Sequence, residues 1–395
     1  MFSSRLPANP VANALSRRLA ALRASGETWV DLTESNPTRA GLAYPRDLLA
    51  PLADPSSLVY EPHPLGLPAA REAVALDQMR RGARVDPAQV VLAASTSEAY
   101  GWLFKLLCNP GDQVLVPRPS YPLVEHLSRL DAIEAVPYDL EYHGRWEIDV
   151  EGLAARATAA TRAVLLVSPN NPTGSYVKAA ELRRLSAFCV ERGLALVADE
   201  VFADYRLEAP ADVVTDIAAG AAPLAFTLGG LSKSVGLPQL KLGWIIVGGE
   251  AKVRRDALHA LELVADSYLS VSTPVQVAAA DLLARGAAIR EGIVERVRGN
   301  LAALDRIASR FQAVTVLACE GGWYAVVRVP STRAEEALVL ALLDRERVLV
   351  HPGYFFDFPR EAYLIVSLLP RPAVFADATA RMLQFVAAAA AATSL

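Results

Sequence analysis

The chain has 395 residues, 53% of them hydrophobic and 21% charged, with 39 Lys+Arg against 43 Asp+Glu and a formal charge of −4. At about 100–200 residues per domain, this length excludes a single small domain and predicts two or three, or one large and one small. No Lys/Arg run exceeds two residues, so the basic footprint that nucleic acid or an anionic membrane requires is missing, and small molecules or further copies of the chain are the expected partners.

Cys108, Cys189 and Cys319 are too few and too scattered for a disulfide framework or a CxxC metal site, which fits a reducing cytoplasm. His63, His126, His143, His259 and His351 never pair at metal-ligand spacing, so no metal is expected. No uninterrupted apolar run reaches about 18 residues, so no membrane-spanning helix is expected.

In chain order, Val11, Leu15, Leu19 and Leu22 recur at helical spacing before Gly26 and predict an amphipathic helix in the first 30 residues. From residue 89 onward, short apolar runs alternate with helical stretches: 89–94, 113–117, 163–168, 194–199, 224–228 and 242–248. Such runs predict buried strands of a mainly parallel sheet with crossover connections. A long charged helix over 289–311 follows, then strands at 323–329, 347–351 and 363–369, which read as a smaller α+β domain. No Pro/Gly/Ser-rich linker separates the two parts, so their boundary is expected to run through a continuous helix near 275–300. The alanine-rich end reads as a fraying helix.

Three polar residues each follow a buried strand. Asn171 lies in SPNNPTGS (168–175), Asp199 ends the run LALVAD 28 residues later, and Lys233 sits another 34 residues on in LGGLSKSVGLPQLKLGW (228–244). Taken singly, they are equally a tight turn, an acidic helix cap and a solvated charge. Together they follow strands of one sheet, whose C-terminal ends are where ligands bind, so they can converge on one crevice. Lys233 is flanked by Ser232 and Ser234 rather than by charges, which suits an amine held in a pocket with a lowered pKa.

In order and approximate spacing, these segments resemble the signature of the class I/II aminotransferases, fold-type I pyridoxal-5′-phosphate enzymes. The likeness extends to DLTESNPT (31–38), YEPHPLGLPAAREAVA (60–75), STSEAYGWL (95–103) and VPRPSYP (116–122). It implies an α/β aminotransferase-like fold: a large domain (45–282) on a mainly parallel seven-stranded sheet, and a small domain built from 1–44 and 283–395. It also implies a homodimer with a shared active site and a transfer of an amino group from an amino acid or amine to a 2-oxo acid.

Carried over residue by residue, Lys233 would form the internal aldimine with pyridoxal phosphate and then move the substrate proton. Asp199 would pair with the ring nitrogen, Asn171 would donate to the phenolic oxygen, and Tyr121 would stack on the ring. Ser95, Thr96 and Ser97, at the turn opening the next helix, would receive the phosphate with Ser232 and Lys241. Tyr60 would reach the phosphate of the neighbouring subunit. The Asn171–Pro172 bond is expected to be cis.

The chain departs from the family pattern at four positions. Phe202 stands where a tyrosine is common, Lys241 where arginine is common, and Gly230 where serine is common. Ile365 stands where the family carries an arginine that clamps the substrate α-carboxylate, leaving Arg360, Arg371 or Arg39 as substitutes, or a substrate with no carboxylate there. Rival readings are another pyridoxal-phosphate reaction on the same scaffold, such as lysis or racemisation, and, more remotely, a cofactor-sensing regulatory domain.

Overall fold

The structure, a computed structural model, describes residues 2–6, 12–208, 210–220 and 224–393. Its strands are β1 Val30–Asp31, β2 Val90–Ala93, β3 Gln113–Arg118, β4 Glu134–Tyr142, β5 Trp146–Ile148, β6 Thr161–Val167, β7 Ala195–Asp199, β8 Leu224–Gly230, β9 Gly243–Gly249, β10 Thr315–Val316, β11 Tyr324–Arg328, β12 Val348–Leu349, β13 His351–Pro352 and β14 Tyr363–Ser367.

The large sheet has the order β2-β9-β8-β7-β6-β3-β4-β5. Its central pairs, β8·β7, β7·β6, β6·β3 and β3·β4, are parallel. β9 runs antiparallel to both neighbours, and β5 folds back on β4 as a hairpin. The sheet is therefore mainly parallel as expected, but it holds eight strands rather than seven. The eighth, Trp146–Ile148, is too short to show a periodicity in sequence.

The interior of this sheet is aliphatic because strands covered on both faces have no solvent side to fill with polar residues. β2 is buried throughout, and so are six consecutive residues of β9. Helix Thr96–Leu107 buries Ala99, Tyr100, Trp102, Leu103 and Phe104 against one face of the sheet. Each apolar side chain of this size that leaves water contributes roughly 1.5–3 kcal/mol.

The second sheet, β10-β11-β14-β13, is antiparallel. Helices Ala287–Ala308, Glu335–Glu346 and Pro372–Thr393 belong to the same part of the chain. The last of these has the length and composition of a membrane span, but Phe375, Ala378, Met382, Leu383 and Val386 are buried in the core. The alanine run continues this helix to Thr393. The expected boundary helix is not continuous: Thr273–Val277, Ala279–Arg285 and Ala287–Ala308 are separate, breaking at Ala278 and Gly286. The 347–351 run likewise splits into β12 and β13.

Near the N-terminus, helix Ala14–Ala24 ends before Gly26, whose φ of +72° suits a residue without Cβ. Its Leu22 packs with Leu343 and Leu349, while Val11 lies outside the described residues. β1 then pairs in parallel with β12, which ties residues 30–31 to the C-terminal part. Between the two sheets runs a buried ion pair. Lys178 Nζ donates to Glu320 Oε2 at 2.9 Å and to the Trp146 carbonyl at 3.0 Å.

Candidate active site

Because β6, β7 and β8 are adjacent and parallel, the chain leaves all three at one edge of the sheet, and Asn171, Asp199 and Lys233 follow them there. β2 is antiparallel to β9 and β9 antiparallel to β8, so the turn after β2, which holds Ser95, opens at the same edge. Four sequence-predicted segments thus meet in one crevice at the carboxyl ends of the strands.

Lys233 lies in a one-turn helix, Leu231–Ser234. The backbone of this turn is held from behind: Tyr205 Oη donates to the Lys233 carbonyl and Arg290 Nε to the Ser234 carbonyl at 2.8 Å. Lys233 Nζ lies 4.9 Å from the ring centroid of Trp323 and 5.5 Å from that of Phe202. Burial lowers the pKa of this amine from its ordinary 10.5 to about 8, against the opposing pull of the Asp199 carboxylate. An amine of that pKa has a substantial neutral, nucleophilic fraction near neutrality.

Burial raises the pKa of Asp199 in turn, opposed by hydrogen bonds and by Lys233. The Val201 N–H donates to Asp199 Oδ1 at 3.1 Å and Tyr100 Oη to Oδ2 at 2.9 Å. Tyr100 and Trp323 were not read as site residues from the sequence. Tyr100 lies one turn into the helix that follows Ser95, on its sheet-facing side, and that position is the signal that could have found it.

Asn171 is presented by a turn that its neighbour fixes. Asn170 Oδ1 accepts from the Thr173 hydroxyl at 2.9 Å, and the Gly174 N–H donates to the Asn170 carbonyl at 2.8 Å. The Asn171–Pro172 peptide is cis, as expected. Asn171 Oδ1 is buried without a hydrogen-bond partner, a state that a bound polar ligand relieves.

The helix after β2 begins at Thr96, with Ser95 as its N-cap accepting from the Glu98 N–H at 3.1 Å. The first-turn N–H groups of Thr96 and Ser97 have no intrahelical acceptor and suit an anion. Gly243 packs against this turn so closely that a Cβ there would stand 3.0 Å from the Ser95 carbonyl carbon and 3.2 Å from the Thr96 nitrogen. Ser232 is half-buried in the Lys233 helix, and Lys241 is exposed at the start of the return strand with φ of +54°.

Tyr121 is 48% exposed, its ring 6.4 Å from that of Phe356. Tyr60 is not brought to the crevice of its own chain. It stands 70% exposed and lines a small cavity with Gly66, Trp102 and Gln276. A phosphate-receiving turn, an ordered Asp199 and a depressed amine fit pyridoxal phosphate, and the side-chain amide nitrogen of Asn171 would donate to its phenolic oxygen. Lys233 would hold its aldehyde carbon, Asp199 its ring nitrogen, and Ser95, Thr96 and Ser97 its phosphate.

Comparison with known proteins agrees. Residues 30–369 match the family Aminotransferase class I and II. The chain is 28% identical to an alanine aminotransferase of Mycobacterium bovis over 379 residues, covering 93% of this chain and 87% of that one. It is 27% identical to a glutamate-pyruvate aminotransferase of Escherichia coli over 315 residues, covering 78% and 77%. The fold superposes on alanine aminotransferase from Pyrococcus furiosus with a TM-score of 0.85 at 21% identity, covering 98% and 99%. Aspartate aminotransferase of Thermus thermophilus gives 0.84 at 23% identity, covering 98% and 99%. The chain belongs to the class I and II aminotransferases and is a pyridoxal-phosphate-dependent transferase of amino groups.

Proposed function

We propose that transamination takes place at Lys233, between a small amino acid of the alanine type and a 2-oxo acid. The observation that carries this reading is the buried Lys233 amine, with a pKa of about 8, in the same crevice as Asp199. The alanine-type substrate is suggested by what the relatives are named for.

Pyridoxal phosphate, when bound, supplies an electron-withdrawing ring that stabilises negative charge on the substrate Cα. Lys233 Nζ would take the proton from that carbon and deliver it to the former aldehyde carbon on the other side of the bridging nitrogen, a role that needs a base titrating near neutrality. Asp199 holds the ring nitrogen in its protonated form. A cation there reverses the effect of burial on the carboxyl group and keeps it ionised. Tyr100 fixes the direction of that carboxylate through its 2.9 Å hydrogen bond. Asn171 donates to the phenolic oxygen, and Tyr121 covers the ring. The hydroxyls of Ser95 and Ser232, the N–H groups of Thr96 and Ser97 and the Lys241 ammonium receive the phosphate.

The division into a large part (45–282) and a small part (1–44 with 283–395) is part of the same proposal, as is a homodimer in which Tyr60 completes the partner's phosphate site. The exposed apolar side chains of Leu58, Val59, Tyr60, Tyr268 and Leu269 are those a second copy would cover. The unpaired Cys108, Cys189 and Cys319 fit a cytoplasmic setting.

A half-reaction screen tests the reading. Holoenzyme mixed with L-alanine is expected to change absorbance to that of the pyridoxamine form, with release of pyruvate, and Lys233→Ala to lose this change by several orders of magnitude. If no amino acid converts the cofactor in the wild type, transamination is refuted.

A further inference from the structure

The substrates of an aminotransferase carry carboxylates, and a buried carboxylate needs a donor. The far wall of the crevice is one face of the antiparallel sheet. Residues directly opposite in such a ladder share a face, and so do residues two apart on one strand. Ile365 lies opposite Val326 on one side and His351 on the other, while Ser367 lies opposite Tyr324. This face looks toward the crevice. The Tyr324 and His351 rings lie 6.3 and 5.5 Å from Phe356, which is 6.4 Å from Tyr121, a residue that follows β3 at the crevice edge.

On this wall Ile365 and Val326 offer no donor, and the Ser367 hydroxyl is already given to the Glu34 carbonyl at 2.6 Å. The Tyr324 phenol faces Ser35, whose hydroxyl opposes the rise in its pKa that burial causes. The arginines that could substitute from the sequence are elsewhere. Arg371 lies against Gly41 beside Arg296, Arg360 lines a surface cavity with Arg328, and Arg39 is exposed. Among the described residues, no hydrogen bond engages either ring nitrogen of His351, whose ring stacks on Phe355 at 5.1 Å.

We propose that His351 receives the substrate carboxylate in place of an arginine, and that it takes up a proton as the carboxylate docks. The inference rests on the transamination reading of the Lys233 crevice. Burial holds His351 neutral by lowering its pKa to about 4, and the Asp31 carboxylate, on β1, pulls the other way. A docked carboxylate adds a second charge favouring the imidazolium, so binding and protonation are linked. Of the other groups packed around β13, Tyr324 on β11 is a neutral phenol with its pKa pushed up to about 12. Glu335, on helix Glu335–Glu346, accepts from the N–H groups of Tyr354, Ala362 and Tyr363. The adjoining turn brings Phe355 and Phe356.

The sign follows from the pKa of about 4 that burial gives His351 before a carboxylate docks. Carboxylate affinity is highest at low pH and falls as pH rises toward the pKa that His351 has in the complex. Propionate, which carries the carboxylate but no amine, is the probe, and its binding to holoenzyme is followed by titration calorimetry in buffers of different ionisation enthalpy. The wild type is expected to weaken up to about tenfold per pH unit between about pH 5 and pH 7 and to take up close to one proton per propionate. His351→Gln is expected to bind at least about tenfold more weakly at pH 6 and to lose the His351-dependent proton uptake. His351→Arg, which keeps a permanent cation, is expected to bind tightly with no such slope, and its binding also shows that substitution at this position leaves the fold intact. If His351→Gln keeps both the wild-type affinity and the wild-type proton uptake, or if the wild type binds no propionate while L-alanine converts its cofactor, the proposal is overturned. A holoenzyme that binds propionate in the expected way but reacts with no amino acid would instead overturn the transamination reading alone.

Discussion

At the residue scale, the chemistry depends on how one amine is desolvated. Lys233 sits against Trp323 and Phe202, and the Asp199 carboxylate offsets only part of the cost of charging it there. The neutral amine is the form that attacks an aldehyde, so reconstitution of apoenzyme with pyridoxal phosphate should accelerate about tenfold per pH unit at low pH and level off near the amine pKa. With that pKa at about 8, the plateau is expected there rather than near 10.5. Asp199→Asn removes the charge that favours the ammonium, so its plateau should lie at still lower pH. Absorbance-monitored reconstitution across pH checks both, and a wild-type rate still climbing past pH 9 would contradict the burial argument. Lys233, Asp199 and Asn171 were legible in sequence because each interrupts an apolar run at its end. Tyr100 and His351 were not, because a tyrosine inside a core helix and a histidine inside a strand look like ordinary packing until the register shows what they face.

At the scale of elements, the crevice exists because the return strand β9 crosses behind the phosphate turn at a residue without a side chain. Gly243→Ala would place a methyl group 3.0 Å from the Ser95 carbonyl carbon and 3.2 Å from the Thr96 nitrogen, both rigid backbone atoms. The turn must then shift, and its N–H groups no longer converge on one anion. We expect the dissociation constant for pyridoxal phosphate to rise at least tenfold, about 1.4 kcal/mol, with far-ultraviolet circular dichroism unchanged. An unaltered constant by absorbance titration would show that the turn does not depend on this approach. The main strands were readable because buried parallel strands are uniformly apolar. The β4–β5 hairpin was not, since β5 is three residues long and its pairing is set by contacts with Phe358 and Lys178 rather than by its own pattern. The helix breaks at Ala278 and Gly286 escaped the same reading because neither residue forbids a helix.

At the scale of the whole molecule, the N-terminal segment is fastened to the C-terminal part of the chain, and a buried polar contact crosses between the two sheets. β1 joins β12, Ser367 reaches the Glu34 carbonyl, and the buried Lys178–Glu320 pair spans from the large sheet to the turn before β11. Removing one partner of such a pair strands a buried charge, so these contacts specify the arrangement more than they stabilise it. The crevice lies between the sheets, with the reactive amine supplied by one and the carboxylate-facing wall by the other. That arrangement was foreseeable only through the family resemblance, because no local pattern in the chain states how distant segments pack. The central claim is that the amine of Lys233 is the group through which the cofactor is held and the amino group passed on. Borohydride reduction of the holoenzyme followed by peptide mapping tests it most directly. The expected result is a single pyridoxyl-modified peptide bearing the label on Lys233, lost when L-alanine has first converted the cofactor; label on Lys241 or any other lysine would contradict it.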